Sequence, residues 1–482
     1  MSATLLEYGE LLESVNGSNI GGCEICDFTT VQTDSRFVRE KSLFVPLIGT
    51  HQDGHAYIPQ ALDNGASVVF VSNSERQRNQ NVYKDLQSRY PHTLFVAVED
   101  TLRALQDAAE AYAAKKCRDM IRVSITGSSG KTTTKEMLVS VCKAHFGGDM
   151  VAYTKGNFNS ETGLPLAVFT VRGDEKICVL EMGMNRKDEI GEISKVFKSQ
   201  YGIITNIGSA HIGILGSREN IAREKRRSFD YIPADGAVFV PDDDDFADFC
   251  TENVRGKIVR YGKISTQKNY GVRFLESLGL RGSRFCINDV IVSLPLPGDY
   301  NYMNALAVVS CAKELGIPDG AIKIGLESMG TIPGRMESVI IRLGNGKSVT
   351  IIQDCYNANC ESMSKAIEFC GALENPGRKI FVLADMKELG GESEAAHKSV
   401  GEKIAANLPD YVYLAGQEMK SAFLVLNQNK NVFYYDDTGD AVFERVAAHI
   451  NSYAQDGDVI LLKGSHSMGL ENLVPHLEGR KS

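Results

Sequence analysis

Residues 127–132 read Gly-Ser-Ser-Gly-Lys-Thr and lie directly between a strand-type run, IRVSIT, and a helix-type run, TTKEMLVSVC. No other stretch restricts the fold as strongly. A glycine turn that leaves a buried strand and opens a helix belongs to a parallel sheet whose ligand gathers at the strands' carboxyl ends. Gly127 and Gly130 allow the backbone to approach an anion closely, and the amides of Ser128, Ser129 and the helix start at Thr133 can face it. Lys131 can reach β and γ phosphates, and the Thr132 hydroxyl can hold Mg²⁺. The pattern predicts bound nucleotide phosphates rather than a plain glycine turn. Ile125 stands where the first glycine of the longer Walker spacing would fall, so the loop is a shortened one.

The runs around this loop predict the rest of the architecture. ICVLEMG, YGIITNIG and GAVFVPD read as further buried strands, with KEMLVSVCKAHF and DEIGEISKVFK as helices between them. Strands alternating with helices imply a mostly parallel sheet covered on both faces. Residues 258–298 (IVRYG, then RFCINDVIVSLPLPG) read as short strands without strong helices, which predicts a local antiparallel addition, and a helix over 303–315 closes the segment. Before it, SLFVPLIG, ASVVFVS and TLFVAVED with the helix IPQALDNG predict a small α/β unit. The Ala-rich TLRALQDAAEAYAAKK predicts a helix linking the two. After about Gly330 the alternation restarts with ESVIIRL, SVTIIQDCYN, KIFVLADM, YVYLAG, NVFYYD and DVILLKG. Three domains are expected, at 1–99, 100–330 and 331–482, in keeping with a chain of 482 residues.

Composition excludes several classes. With 52 Lys+Arg against 61 Asp+Glu the formal net charge is −9, which argues against a surface that binds nucleic acid broadly. No run approaches the ~18 apolar residues that span a bilayer, and MSATLLEYGELLESVNG lacks the pattern of a secretory signal. A soluble cytoplasmic protein without membrane insertion, and a monomer, is the expectation. The 11 cysteines are scattered, mostly in apolar runs, as reduced core thiols are. Cys23 and Cys26 form a lone CxxC, half of a zinc site or a redox pair in form, but no second CxxC or nearby histidine accompanies it.

Glu181 ends one predicted strand and His211 follows another, both at the ligand edge, where a carboxylate and an imidazole could hold metal. Taken alone, His211 reads as a structural histidine. Lys225 sits in the very polar helix ENIAREKRRSF, where a solvated charge is the default.

These residues in this order resemble the Mur ligases of peptidoglycan synthesis, ATP-dependent amide-bond formers. GSSGKTT is similar to the family's shortened P-loop, and EMGMNRKDEIGEI with ITNIGSAHIGILGSRENIAREK to its central metal and lysine region. GDYNYMNALA, IPGRME, DCYNANCESM, VLADMKELG and LLKGSHSMG extend the likeness to the end of the chain, while TDSRFV with SLFVPLIGTHQDGHAYI resembles the family's uridine-nucleotide-binding domain. EMGMN, YNAN with a following SM, and ADMKELG are most similar to the family member that joins D-alanyl-D-alanine to a UDP-MurNAc-tripeptide.

The resemblance implies a three-domain α/β architecture: a small N-terminal domain for the UDP-sugar, a central P-loop ATPase sheet, and a Rossmann-like C-terminal domain that completes the ATP site and receives D-Ala-D-Ala. It implies that Lys131 and Thr132 hold ATP phosphates and Mg²⁺, and that Glu181 and His211 ligate metal. Asn304, Arg335, Asp354 and Asn357 would contact the nucleotide. Thr33, Asp34, Ser35 and Arg36 match the positions that hold the UDP end, and Asn157, Asn159 and Ser160 a loop near the sugar and peptide. Lys225 matches a lysine that is N-carboxylated in several relatives, and its carbamate would be an anionic metal ligand. Lys131, Lys225 and His211 are thus the catalytic candidates. The chain departs from the family pattern at Cys360 (usually Pro), Gln353 (commonly Asp), Gly213 (often Glu) and His466 (usually Arg). The last puts a guanidinium contact from the third domain in question. The rival readings are a sibling ligase or folylpolyglutamate-type enzyme, which EMGMN and YNAN…SM disfavour, and a P-loop switch, for which no NKxD sequence is present.

Overall fold

The computed structural model describes residues 4–25, 27–374 and 377–480. Cys26, and with it the CxxC pairing, lies outside them. Four sheets follow one another along the chain. The first has five strands in the order Ser18–Gly21, Leu94–Val98, Ala66–Ser72, Ser42–Phe44 and Thr30–Gln32, parallel except for the pair between the first two. The central sheet has six parallel strands, ordered Lys257–Tyr261, Ala237–Pro241, Tyr201–Ile204, Ile121–Thr126, Ile177–Glu181 and Val151–Tyr153. Ala237–Pro241 and Ile177–Glu181 are buried at every position, which is why their sequences are continuously apolar up to the site edge rather than alternating.

The last sheet also has six strands, ordered Glu337–Arg342, Ser348–Asp354, Val459–Lys463, Lys379–Ala384, Tyr411–Ala415 and Val432–Tyr435. Its first pair is antiparallel, so ESVIIRL and SVTIIQD form a hairpin with no helix between them, contrary to a strict βα alternation. The five residues that separate them are too few for a crossover. A second correction concerns residues 258–262. IVRYG is not part of an antiparallel addition but the edge strand of the central parallel sheet, in register with Ala237–Pro241. The helix Lys263–Tyr270 follows it, and only 272–294 form the expected three-stranded antiparallel sheet. As an edge strand it is half exposed, and KISTQKNY is polar with little apolar periodicity, so neither announced itself.

The helix Thr101–Lys116, capped by Asp100 accepting from the Arg103 amide at 2.8 Å, belongs to both neighbours. Its Thr101 hydroxyl donates to Pro46 O in the first unit, and its Tyr112 hydroxyl to Val171 O in the second, each at 2.6 Å. Leu94, Val96, Ala108, Tyr112, Phe169 and Phe197 accordingly share one core. On the other face of the central sheet the helix Lys131–Phe146 buries Met137, Leu138, Val141 and Cys142. It crosses the helix Asp319–Glu327 at Gly325, where a Cβ would stand 2.4 Å from Val141 Cα. No helix among the described residues is long and apolar enough to cross a membrane.

Candidate nucleotide and ligation site

From the strand Ile121–Thr126 the chain reaches Val151–Tyr153 two places to one side, while Tyr201–Ile204 lies against it on the other. That reversal of strand order opens a crevice at the carboxyl ends. Gly127 (φ +151°) and Gly130 (φ +83°) shape the loop there. A Cβ on Gly127 would meet Thr205 Oγ1 at 1.8 Å, and one on Gly130 would meet Asn304 Oδ1 at 2.7 Å. Asn206, just past the neighbouring strand, holds the loop by accepting from the Ser128 and Ser129 amides and donating to Ser129 O.

Lys131 Nζ donates to Gly127 O at 2.8 Å, folded back over the loop it would share with phosphates. Desolvation pushes its pKa down, Glu181 opposing and Arg335 reinforcing the effect. The Thr132 hydroxyl donates to Glu181 Oε2 at 2.8 Å and accepts from Arg335 Nη2 at 2.9 Å. The other Glu181 oxygen accepts from Asn159 Nδ2 at 2.8 Å. Thus a P-loop residue, a strand-end carboxylate, the 157–160 loop and an arginine of the third unit converge at one point.

The third unit closes the crevice. Asp354 Oδ2 pairs with the buried Lys463 at 2.5 Å, which fixes the end of its strand and leaves Asp354 facing the cavity. Asn359 caps the helix Cys360–Ala372 through the Ser362 amide and donates from Nδ2 to Ser129 Oγ at 3.0 Å. Glu361 accepts from the Ser209 amide and hydroxyl at 2.8 and 2.9 Å. Cys360 is the first residue of that helix, a place where proline is favoured but not required, and the reciprocal Asn359–Ser362 cap maintains the turn without it. Gln353 pairs with Glu337 across the edge hairpin, so its position serves the sheet.

His211 holds φ +66°, and its Nδ1 lies 2.7 Å from Glu388 Oε2 of the third unit, a neighbour that keeps the Glu388 carboxyl below the usual range. Gly213 packs into the same junction, where a Cβ would stand 2.5 Å from Gly390 N, which explains the missing side chain at that position. The His466 ring stacks on Tyr356 at 6.0 Å between centroids, at the wall of the cavity.

The resulting cavity has a volume of about 830 Å³. Ser128, Ser129, Gly130, Lys131, Thr132 and Thr133 line it, as do Asn157, Asn159, Ser160, Glu181, His211, Asn304, Arg335, Asp354 and Asn357. Gly127 lies behind this surface. Lys225 is fully buried, 1% exposed, close enough to Lys131 for their charges to repel, and desolvation drives its pKa well below the usual lysine value. A solvated charge it is not. Thr33, Asp34, Ser35 and Arg36 do not line the cavity. They form a turn of the first unit in which Asp34 holds Arg36 at 2.6 Å, leaving that arginine's side chain 75% exposed, while Ser35 is buried on Gln60. Asn206, Tyr356, Asn359, Glu361 and Glu388 were not singled out in the sequence.

A phosphate loop on a parallel sheet, roofed by an arginine and an asparagine from another α/β unit, defines an ATP-dependent enzyme whose site is shared between two units. Three family models match the chain: Mur ligase family, catalytic domain, over 27–113; Mur ligase middle domain over 125–312; and Mur ligase, glutamate ligase domain, over 334–466. A UDP-N-acetylmuramoyl-tripeptide–D-alanyl-D-alanine ligase of Treponema pallidum (strain Nichols) is 36% identical, over 98% of this chain and 99% of the relative. Its counterpart in Bacillus subtilis (strain 168) is 34% identical over 93% and 92%. Among solved structures, MurF from Acinetobacter baumannii superposes with a TM-score of 0.85 at 26% identity over the whole of both chains. MurF ligase from Thermotoga maritima in complex with ADP superposes at 0.75 with 27% identity, covering 93% of this chain and 97% of that one. The chain belongs to the Mur ligase family, and within it the likeness is to MurF.

Proposed function

We propose that this chain joins D-alanyl-D-alanine to a UDP-MurNAc-tripeptide at the expense of ATP, in bacterial peptidoglycan precursor synthesis. The observation that carries the reading is the convergence of Lys131, Thr132, Glu181 and Asn159 with Arg335 of the third unit inside one cavity. It joins a phosphate loop to a surface where a second and third substrate can meet. A carboxylate is a poor acylating agent, so the terminal carboxylate of the tripeptide first attacks the γ phosphorus and ADP leaves. The amine of D-Ala-D-Ala then adds to the acyl carbon of this acyl phosphate, and collapse of the tetrahedral adduct expels phosphate, with the amine proton lost to solvent or a basic group. Lys131 and Arg335 stabilise charge on the phosphoryl oxygens, while Asn157, Asn159 and Ser160 face the peptide. Asp354, fixed by Lys463, faces the nucleotide with Asn304 and Asn357. Thr33, Asp34, Ser35 and Arg36 receive the uridine end on the first unit.

The Thr132 hydroxyl and the Glu181 carboxylate suit a hard cation, since their oxygens meet at 2.8 Å. Mg²⁺ is such an ion, and it keeps waters and phosphate oxygens in its shell. Thr132, Glu181 and His211 would hold it. When bound it neutralises charge on the phosphoryl oxygens. Lys225 is read as N-carboxylated. Its buried amine favours the neutral form, which adds to carbon dioxide with loss of one proton, and the resulting anion replaces repulsion of Lys131 by attraction. Native mass spectrometry should show the gain of one carbon dioxide on wild type and none on Lys225→Ala.

Phosphate release tests the function. It should require the UDP-tripeptide and D-Ala-D-Ala together. A P-loop switch would turn over with neither, and a sibling ligase would accept a single amino acid in place of the dipeptide.

A further inference from the structure

We infer that Tyr356 is a positioning residue that closes a ring of contacts around the reaction point and thereby couples the third unit to the peptide-side loop of the second. The inference rests on the function proposed above. The ring is read directly from the contacts. The Tyr356 hydroxyl donates to Asn157 Oδ1. Asn157 O accepts from the Asn159 amide at 2.7 Å, and Asn159 Nδ2 donates to Glu181 at 2.8 Å. Glu181 accepts from Thr132 at 2.8 Å, Thr132 accepts from Arg335 at 2.9 Å, and the Arg335 guanidinium lies 4.2 Å over the Tyr356 ring.

Six residues from two α/β units therefore form one closed circuit. Tyr356 is joined to it at both ends, by its aromatic face to Arg335 and by its hydroxyl to Asn157. Burial raises its pKa, so the hydroxyl stays a donor. An open chain of such contacts would let Arg335 swing on a long flexible stem. With the ring closed, movement of the 157–160 loop on binding peptide is transmitted to the guanidinium that faces Thr132. His466, where a guanidinium is usual in the family, stacks on the same ring.

Two variants separate the two attachments. Tyr356→Phe keeps the face and removes the hydroxyl, and should raise KM for the UDP-tripeptide about fivefold with KM for ATP unchanged. Tyr356→Leu removes both, and should in addition lower kcat roughly tenfold because Arg335 loses its platform. Combining Tyr356→Phe with Asn157→Ala should add little to the larger single effect. Wild-type turnover in the same series establishes the function itself, so failure of the two claims is distinguishable. Small-angle scattering with a non-hydrolysable ATP analogue gives a reading independent of turnover: wild type should be compact and Tyr356→Leu more extended. Wild-type constants in Tyr356→Phe, equal losses in every constant from both variants, or identical scattering of Tyr356→Leu and wild type would each overturn the inference.

Discussion

Two lysines carry the residue-scale predictions, one lining the cavity and one enclosed behind it. Lys131 ends in the cavity and holds its own loop through Gly127 O, a bond that phosphate oxygens can replace. Lys131→Ala should lower phosphate release about 100-fold or more while the melting temperature stays within a few degrees of wild type. Turnover at the wild-type rate in a folded variant would refute its role. Lys225 is buried within reach of the Lys131 charge, and its depressed pKa makes it a burden on the unmodified fold. The sign is fixed by linkage. Below the unfolded lysine value near 10.5 the unfolded chain holds a proton that the folded chain gives up more readily, so this site weakens folding at neutral pH and the penalty disappears only as pH rises past that value. In buffer free of carbon dioxide, Lys225→Met should therefore raise stability by about 1–4 kcal/mol in denaturant melts while abolishing activity. A destabilised Met variant would show that the ammonium is paired and welcome.

At the scale of elements, closure is made by small pieces. The short helix Ile212–Leu215 meets the turn Gly390–Glu392 backbone to backbone at Gly213, and the helix Cys360–Ala372 presents Asn359 and Glu361 to Ser129 and Ser209. Gly213→Ala should oppose docking of the third unit by about 1–3 kcal/mol through overpacking, lowering turnover while leaving the melting transition nearly unchanged. Wild-type turnover would contradict this packing argument. The same pieces show what could be read in advance. The phosphate loop was legible because strand, glycine turn, lysine and helix are contiguous, and Glu181 because it ends an apolar run. Asn359 touches Ser129 across 230 positions and Glu361 touches Ser209 across 152, so no local spacing encodes either contact. Lys225 was misleading for a related reason. Its helix carries charge at nearly every turn, and only tertiary packing decides which of those charges is enclosed. IVRYG reads as antiparallel because an edge strand, exposed on one side, carries the weak pattern of an antiparallel one.

For the whole molecule, three units, the first two sharing a core, carry a net charge of −9 around a site that must accept phosphates and carboxylates. The field of the protein does not draw these anions in, and local cations and loop amides receive them. The third unit adds Arg335 to the P-loop only when docked, so scattering should show ATP analogue and UDP-substrate together compacting any open population, and an unchanged radius of gyration would count against closure. The central claim is that the tripeptide carboxylate, not water, attacks ATP in this cavity. The most direct measurement supplies UDP-MurNAc-tripeptide labelled with a heavy oxygen isotope in its terminal carboxylate, together with ATP and D-Ala-D-Ala, and follows the label by mass spectrometry. One labelled oxygen should appear in each released phosphate, alongside UDP-MurNAc-pentapeptide. Unlabelled phosphate would show that water attacked instead, and the account of this chain as a ligase would be wrong.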